Sequence, residues 1–272
     1  MSEVAAFQTG KKLAIIVPYR DRAEHIEQFV QHIRGYFARD KIDKQIDCRV
    51  IVVEQSKGKA FNRGALKNVG FLFIESETDY VCFHDVDYLP IWADYSWVER
   101  PTPILWHGAE YRPAHPGQGK TGVIKHNLEL FFGGVLLVPN DQFRQVNGYA
   151  NDYWGWGYED SDLQSRFNSA SIALGRRKCT FKPLYHDNEA YEVGGGPTRI
   201  AKVNESLLKA RWKNRFDTSQ DGLSNLSFSI LNERPIEDPI GERVVPWRHV
   251  TVELDGNASP SQRAALKGGA SP

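Results

Sequence analysis

Three short apolar runs, separated by segments of helical character, constrain most strongly what the first 90 residues of this chain can form. The runs 12–20, 48–55 and 79–90 have the length and apolar content of buried strands, and the last leads into an acidic turn. Between the first and second runs, apolar residues recur at helical spacing over 26–37. Between the second and third runs, residues 61–76 are also predicted to be helical. This alternation predicts a parallel sheet of the doubly wound α/β kind.

Polar residues stand at the carboxyl end of each of these strands. The three groups are Pro18-Tyr19-Arg20, Glu54-Gln55 and Asp85-Val86-Asp87. In open α/β sheets, ligands bind beyond the carboxyl ends of the parallel strands. The three groups are therefore expected to converge on one binding site.

The rest of the chain continues the mixture of strands and helices. Further strands are predicted over 130–139, 179–187 and 247–254, and helices over 140–149 and 200–214. The sequence shows neither an internal repeat nor a linker, so we expect one domain over 1–256. The small, polar segment 257–272 is predicted to be a disordered tail.

The composition argues against two classes of partner. Lys plus Arg and Asp plus Glu both number 34, so the formal net charge is zero and no broad basic surface attracts nucleic acid or an anionic membrane. No stretch approaches the roughly 18 apolar residues of a transmembrane segment, and the first residues lack a signal-peptide pattern. The three widely spaced cysteines form neither a metal-ligand pattern nor a disulfide framework. We therefore expect a cytoplasmic protein.

The Asp-Val-Asp sequence at 85–87 is the first candidate metal site. Two carboxylates at i and i+2 can leave a strand end on the same side, and Mg²⁺ or Mn²⁺ binds carboxylate and phosphate oxygens. His186 follows a later strand and is a candidate ligand that suits Mn²⁺ better than Mg²⁺. The alternatives are a solvated acidic turn at 85–87 and a structural role for His186.

Three arginines near these strand ends are candidates for binding phosphate. Arg20 and Arg22 follow the first strand, and Arg63 lies at the start of the second helix. Guanidinium groups make paired hydrogen bonds to phosphate oxygens. Phe61 could pack against a nucleobase, and it could equally be a core residue. For the arginines the alternative is ordinary surface charge.

The stretch WGWGYEDSDLQSRF at 154–167 combines flat aromatic rings, glycines and clustered acids. Trp154 and Trp156 could lie against the apolar face of a sugar ring, and the glycines allow the turn to flex or to adopt positive φ. One of the carboxylates of Glu159, Asp160 and Asp162 could act as a general base on an acceptor hydroxyl. The alternative is an acidic helix N-terminus, favoured by the helix dipole, and for Asp162 that role is sufficient.

Together these segments resemble the β-1,4-galactosyltransferase family, of the family 7 type, from Val17 to Asn225 and in family order. The matching segments are VPYRDR (17–22), FNRGALKNVGF (61–71), FHDVDYLP (83–90), FFGGVLLV (131–138), WGWGYEDSDL (154–163) and DGLSNLSFSIL (221–231). The resemblance implies a GT-A fold, a single Rossmann-like α/β domain with a mostly parallel central sheet flanked by helices. Its nucleotide-binding part would be 12–90 and its donor and acceptor part 125–232.

The resemblance also implies roles on the donor side. Asp87 and His186 would hold Mn²⁺, or alternatively Mg²⁺. Gly133 and Gly134 would lie near the donor sugar. The uridine diphosphate would be held by Pro18, Tyr19, Arg20, Arg22, Phe61, Arg63, Asp85 and Val86.

On the acceptor side, Trp156 would close over both sugars, while Glu159 and Asp160 would bind sugar hydroxyls, with Asp160 as the general base. The implied activity is a metal-dependent, inverting transfer of a hexose, with galactose preferred, from a UDP-sugar to a hydroxyl of a saccharide or glycoconjugate acceptor, with a β-1,4-type linkage. The alternatives are a UDP-N-acetylgalactosamine-using transferase of the same family, a non-catalytic carbohydrate-binding module and a nucleotidyltransferase.

Three departures from the family pattern matter. Many members have a Met or His ligand two or three residues before the matching His, where this chain has Pro183 and Leu184. Ser161 replaces the second Asp of the signature, which bears on acceptor recognition, and Phe131 replaces a Tyr near the donor sugar. The chain resembles a soluble, bacterial-type member, and its acceptor and oligomeric state are not set by the sequence.

Overall fold

The computed structural model describes residues 10–39, 46–112, 122–125, 132–184, 198–214, 217–240 and 243–267. The helices are α1 (Ala23–Arg39), α2 (Arg63–Ile74), α3 (Asn140–Gln145), α4 (Glu159–Ser169), α5 (Arg199–Lys213) and α6 (Pro260–Lys267). The strands are β1 (Lys12–Tyr19), β2 (Asp47–Gln55), β3 (Tyr80–His84), β4 (Tyr88–Trp92), β5 (Thr102–Pro103), β6 (Leu105–Arg112), β7 (Gly122–Lys125), β8 (Val135–Pro139), β9 (Cys179–Pro183), β10 (Phe228–Ile240) and β11 (Arg243–Leu254). None of the helices in these ranges is both long and apolar enough to cross a membrane.

The central sheet has the strand order β10-β11-β2-β1-β3-β8-β5. Its four middle strands, β11, β2, β1 and β3, are mutually parallel. Antiparallel strands extend it on both sides, β10 beside β11 and β8 beside β3. A second sheet has the order β4-β9-β6-β7. The predicted doubly wound α/β architecture is confirmed in the parallel centre of the larger sheet.

Strand β1 is buried on both faces, which explains its continuous apolar sequence. Leu13 and Ile15 face a core that includes Phe29 of α1. Ile16 faces a second core that includes Leu66 of α2. The two helices therefore cover opposite faces of the sheet and leave its strand ends open to a ligand.

The acidic turn lies where the two sheets meet. The sequence predicts one strand over 79–90, but β3 ends at His84 and β4 begins at Tyr88 in the other sheet. The backbone N–H of Asp85 donates to Gly134 O at 2.8 Å, and the N–H of Leu184 donates to Asp87 O at 2.6 Å. The two carboxylates are thus anchored by backbone from both sheets.

The C-terminal region differs from the expected disorder, because residues 260–267 form helix α6. Ser259 and Gln262 cap this helix reciprocally. Ser259 Oγ accepts from Gln262 N at 3.2 Å, and Gln262 Oε1 accepts from Ser259 N at 2.8 Å. This Ser-x-x-Gln capping box is visible in the sequence. Gln262 is only 2% exposed, so α6 is docked against the domain.

Candidate active site

The start of helix α2 fixes the position of Arg63, the helix's first residue. Asn62 caps the helix, its Oδ1 accepting from Ala65 N at 3.0 Å. The backbone N–H of Asn62 donates to Gln55 Oε1 at 2.8 Å, at the end of β2. Its Nδ2 donates to Asn151 O at 2.7 Å. The Asn62–Arg63 pair is therefore tied to a strand end and to the segment before the WGWG turn.

Arg63 binds three carboxylates from two distant parts of the chain. Its guanidinium donates to Asp85, to Glu159 Oε1 at 2.5 Å and to Asp160 Oδ2 at 2.6 Å. Its side chain remains 26% exposed. Burial lowers the pKa of Arg63, but the charges of Asp160, Asp85 and Glu159 outweigh burial and raise the pKa well above its usual value. Arg63 is thus a permanent cation at the point where the acidic segments meet.

Lys67 lies one helical turn after Arg63 and contacts two of the same carboxylates, those of Asp160 and Asp85. Its Nζ is 3.3 Å from Asp160 Oδ1 and 3.7 Å from Asp85 Oδ1, and its side chain is only 1% exposed. It also donates to the hydroxyl of Tyr149 at 3.4 Å. The sequence analysis missed Lys67, although its i+4 spacing from Arg63 places both cations on one face of α2.

The pKa values of the Asp160 and Asp85 carboxylates shift in opposite directions in this environment. For Asp160, burial raises the pKa, but Arg63 and then Lys67 lower it, and the net pKa lies below the ordinary value. For Asp85, burial dominates and the net pKa is raised, although Arg63 and Lys67 oppose it. Asp160 is therefore held as a carboxylate, the form that a general base requires.

The 85–87 turn is held from beneath by His84. The Nδ1 of His84 lies 2.9 Å from Asp85 O, and its Nε2 lies 2.9 Å from the Tyr95 hydroxyl. Because a carbonyl oxygen only accepts, Nδ1 carries the proton and Nε2 accepts from Tyr95. Burial lowers the pKa of His84 to about 4, so the ring is neutral near pH 7. Val86 is buried between the two aspartates.

Two of the three residues of the implied metal site, Asp85 and Asp87, lie within the described residues. Asp87 Oδ2 lies 3.5 Å from Arg22, and Asp85 Oδ1 is buried with no hydrogen-bond partner within the described ranges. Oxygen atoms of this kind suit Mn²⁺ or Mg²⁺. Within the same ranges, no three His, Cys, Asp or Glu side chains gather as a complete metal site. The third residue, His186, lies outside the described residues, two positions after Leu184.

The remaining donor-side candidates lie along the ends of β1 and β2. Tyr19, at the end of β1, is 8% exposed and pairs with Glu54 of β2, as Pro18 pairs with Val53. Arg20 donates to Lys59 O at 2.7 Å and lies over the ring of Phe61, 5.1 Å from its centroid. Phe61 O accepts from Gly155 N at 2.7 Å.

The WGWG turn contains one buried and one partly exposed indole. Trp154 is 2% exposed and packs in the core, so the expectation that its ring lies against a sugar is wrong, whereas Trp156 is 37% exposed. Gly155, Gly157 and Tyr158 all have positive φ, and α4 begins directly after them at Glu159. The sharp turn therefore directs Glu159 and Asp160 towards Arg63. Asp162 points elsewhere, to Arg166 Nε at 2.6 Å.

The structure brings most of the predicted residues to one end of the central sheet. Arg63, Asp85, Glu159 and Asp160 are in direct contact, and Gly134 reaches this group through Asp85. Gly133 O accepts from Val135 N at 3.0 Å at the start of β8. His186 and Phe131 lie outside the described residues. The ligand-binding and catalytic roles of all these residues stay predictions.

The charges of the site balance, which favours a divalent cation together with an anionic ligand. Four cationic side chains lie with four carboxylates; the eight residues are Arg20, Arg22, Arg63, Lys67, Asp85, Asp87, Glu159 and Asp160. The site therefore has no excess positive charge for a diphosphate, because the carboxylates offset its arginines and lysine. A divalent cation would supply that charge and bind both carboxylate and phosphate oxygens.

Comparisons with known proteins agree with this arrangement. A family model described as the N-terminal region of glycosyl transferase group 7 matches residues 5–97, and one described as the N-terminal domain of galactosyltransferase matches 122–187. The chain is 35% identical to β-1,4-galactosyltransferase 7 of Drosophila melanogaster over 256 residues, 92% of this chain and 72% of that protein. It is 31% identical to human β-1,4-galactosyltransferase 4, but spans only 60% of that protein's length.

Solved structures of a β-1,4-galactosyltransferase are also similar to this chain. The catalytic domain of Drosophila β-1,4-galactosyltransferase 7 in complex with xylobiose superimposes with a TM-score of 0.67 at 28% identity, covering 96% of this chain and 100% of that one. A mutant of the same enzyme in complex with manganese, UDP-Gal and xylobiose superimposes with a TM-score of 0.63 at 27% identity, covering 91% and 95%. With its fold and its ordered motifs, the chain belongs to the glycosyltransferase group 7 family, that of the β-1,4-galactosyltransferases.

Proposed function

We propose that this chain catalyses a metal-dependent, inverting transfer of galactose from UDP-galactose to a hydroxyl group of a saccharide acceptor. The observation that carries the proposal is the triple contact of Arg63 with Asp85, Glu159 and Asp160. This contact joins the nucleotide-binding segment, the acidic turn and the WGWG segment in one site. A relative of known structure binds manganese, UDP-Gal and xylobiose together, which supports the same three ligand classes here.

On the donor side, Arg63 would exchange carboxylate partners for the diphosphate. Its guanidinium is partly exposed, so its charge is accessible to a ligand. Arg20 and Arg22 flank the same strand end, and the Arg20–Phe61 contact offers a flat surface to the uracil ring. Lys67 is buried and stays with Asp160 and Asp85 when Arg63 turns to the donor.

Mn²⁺ would be held by Asp87 and His186, with Asp85 supporting the site. Carboxylate and imidazole ligands suit Mn²⁺, and the Oδ1 of Asp85, which has no hydrogen-bond partner within the described ranges and lies 3.7 Å from Lys67 Nζ, fits a cation-binding role. When bound, the metal would neutralise charge on the leaving diphosphate. Asp85 and Asp87 would keep their carboxylates at the strand end through the backbone contacts of Gly134 and Leu184.

On the acceptor side, Asp160 would take the proton of the attacking hydroxyl. The acceptor oxygen forms its bond to C1 of galactose as the bond from C1 to the UDP oxygen breaks, so the configuration at C1 inverts. The lowered pKa of Asp160 keeps it ready to accept this proton. Glu159, released from Arg63 when the donor binds, would bind a sugar hydroxyl beside it.

The acceptor and the exact donor are finer proposals. We propose a xyloside, glucoside or N-acetylglucosaminide acceptor, since two related structures contain xylobiose. Ser161 is exposed in the first turn of α4 beside Asp160 and is the residue expected to tune acceptor choice. The preference for galactose over N-acetylgalactosamine rests on Phe131.

We also propose a cytoplasmic location. The support is that Cys48, Cys82 and Cys179 are all buried as free thiols, which suits a reducing compartment. Fractionation of cells that express the chain would test it, and recovery in an oxidising compartment would contradict it.

The decisive test is a screen of UDP-sugars against acceptors, with UDP release measured with and without Mn²⁺. Galactose transfer that requires Mn²⁺ is expected. Sugar binding without UDP or metal dependence would instead indicate a carbohydrate-binding module, and release of pyrophosphate would indicate a nucleotidyltransferase.

Calorimetry tests the metal site at the level of single residues. Asp87→Ala should abolish Mn²⁺-dependent UDP binding, whereas Asp47→Ala, at an exposed aspartate of β2, should not. Unchanged UDP affinity in Asp87→Ala would reject the metal role.

A further inference from the structure

The turn that carries Trp156 has a backbone conformation that needs support from outside. We name residues 154–158 the Trp156 loop. Gly155 and Gly157 have φ values of +78° and +97°, and Tyr158 has φ +74°. A non-glycine residue keeps such a conformation only where the surrounding structure holds it. The question is which residues hold this loop.

Asn204, in the middle of α5, binds the loop backbone at two points. Its Nδ2 donates to Trp154 O at 3.3 Å and to Trp156 O at 3.0 Å. The side chain is fully buried. Both N–H bonds of one amide are therefore used to bridge the carbonyls on either side of Gly155.

Gln262, on the C-terminal helix α6, orients that amide. Its Nε2 donates to Asn204 Oδ1 at 2.8 Å and to Asp152 O at 2.8 Å. Because both acceptors are carbonyl oxygens, Gln262 must present its NH₂ group, and Asn204 must turn its own NH₂ to the loop. The order of contacts is Gln262, then Asn204, then the Trp156 loop.

Packing links the same three elements. A Cβ atom on Gly155 would lie 2.7 Å from Ile200 Cγ1 of α5 and 3.2 Å from Leu266 Cδ2 of α6. The loop backbone thus rests directly on both helices at the residue that Asn204 bridges. On its other side, Trp156 is partly exposed next to the helix start that carries Asp160.

We propose that Gln262 and Asn204 are positioning residues for Trp156, so that the C-terminal helix is part of the machinery that binds the acceptor. The inference rests on the proposed function for its kinetic consequence, since Trp156 is the residue expected to cover the sugars. Neither amide contacts the strand ends where UDP is expected to bind. Loss of the relay should therefore weaken acceptor binding and leave UDP binding unchanged.

The test is Gln262→Glu, which keeps the shape and the acceptor for Ser259 N but replaces the donating NH₂ with a carboxylate that repels Asn204 Oδ1. The acceptor KM, measured with the acceptor from the release screen, should rise about 10-fold, as small misplacements of substrate-positioning groups do. The affinity for UDP with Mn²⁺ should stay within about twofold of wild type, well below the tenfold step of 1.4 kcal/mol. Gln31→Glu, at an exposed position of α1, is the matched control and should change neither quantity.

Hydrogen exchange of the 154–158 backbone gives a readout that does not need activity. Exchange should be faster in Gln262→Glu than in wild type or in the control. If the wild type transfers no sugar but this exchange rises, the proposed function fails while the relay stands. Unchanged exchange and acceptor KM in the folded variant would overturn the relay, as would a parallel loss of UDP binding and acceptor binding. If Gln262→Glu does not fold, Gln262→Met carries the same expectations, and failure of both to fold would assign Gln262 a purely structural role.

Discussion

Two groups of ion pairs start from the first turn of helix α4, and they differ in how far they are enclosed. The open cluster consists of Arg63, Lys67, Asp85, Glu159 and Asp160, and its arginine is 26% exposed. The enclosed cluster consists of Asp162, Arg166, Arg211 and Asp221, and its Asp162–Arg166 pair is fully buried. Three acids within four positions of the sequence, Glu159, Asp160 and Asp162, therefore serve two separate environments.

One helix start can thus serve both ligand binding and folding. In the enclosed cluster, Arg166 donates to Asp162 and to the carbonyl oxygen of Asp221 at 2.8 Å, and Asp162 also accepts from Tyr153 at 3.0 Å. Because the Asp162–Arg166 pair has no exposed surface, a ligand cannot reach it and its role is to stabilise the fold. In the open cluster, Arg63 is shared by three carboxylates and faces solvent, so a ligand can take over part of its hydrogen bonding.

The largest effect is expected from breaking the enclosed cluster with Asp162→Asn. The substitution keeps the shape but leaves the buried Arg166 without its closest charge, which typically costs about 3–5 kcal/mol. Denaturant unfolding of the variant measures the loss. Glu159→Gln is the control, because it leaves the partly exposed Arg63 with Asp85 and Asp160 and should cost clearly less. Equal losses in the two variants would contradict the distinction.

Asp160→Asn is expected to have the next largest effect, on turnover. If Asp160 is the general base, kcat should fall by about 10²-fold or more, while the protein stays folded. The folded fraction of Asp162→Asn should keep a kcat within a few-fold of wild type. UDP release at saturating donor and acceptor checks both. Turnover near wild type in Asp160→Asn would remove it from the chemistry.

The sequence indicates the exposed part of the open cluster better than it indicates the buried residues that hold it in place. Glu159, Asp160 and Arg63 lie in motifs whose residue types indicate chemistry. Lys67 lies in the same segment as Arg63, four positions later, but its partner Asp160 is 93 positions away, so the sequence does not indicate the contact itself. The sequence predicts a helix-start role for Asp162, although its i+4 spacing to Arg166 is the visible sign of the buried pair.

The strands that are buried on both faces of the sheet could be predicted from the sequence, whereas the edge strand and the last helix could not. The parallel centre is buried on both faces, so β1, β2 and β3 have continuous apolar runs that identify them as strands. Strand β10 lies at the sheet edge and its sequence, FSILNERPIEDPI, contains two prolines and three acids, which hide its strand character. Helix α6 was missed because its capping box lies in a small, polar segment.

A smaller effect is expected from Lys67→Met, which removes a buried cation from the open cluster at similar volume. Burial alone would raise the pKa of Asp160, whereas Arg63 and Lys67 hold it down. Without Lys67 the pKa of Asp160 rises, and a base works only when deprotonated. The acid limb of the kcat/KM profile should therefore move to higher pH than in the wild type. Lys57→Met, at a lysine that is 84% exposed, is the control. An unmoved acid limb would show that Lys67 does not act on the base.

The smallest effect is expected from an ion pair that neither cluster includes. Glu75 accepts from Arg144 Nε at 3.0 Å, and the arginine side chain is 56% exposed. Water already solvates both charges there, so Glu75→Gln should change the free energy of unfolding by about 0–1 kcal/mol, and high salt should remove even that difference. Denaturant unfolding at low and high salt measures it. Burial, not the count of charged contacts, would then separate Asp162 from Glu75. A loss from Glu75→Gln as large as that from Asp162→Asn would mean that enclosure does not set the energetic role of these clusters.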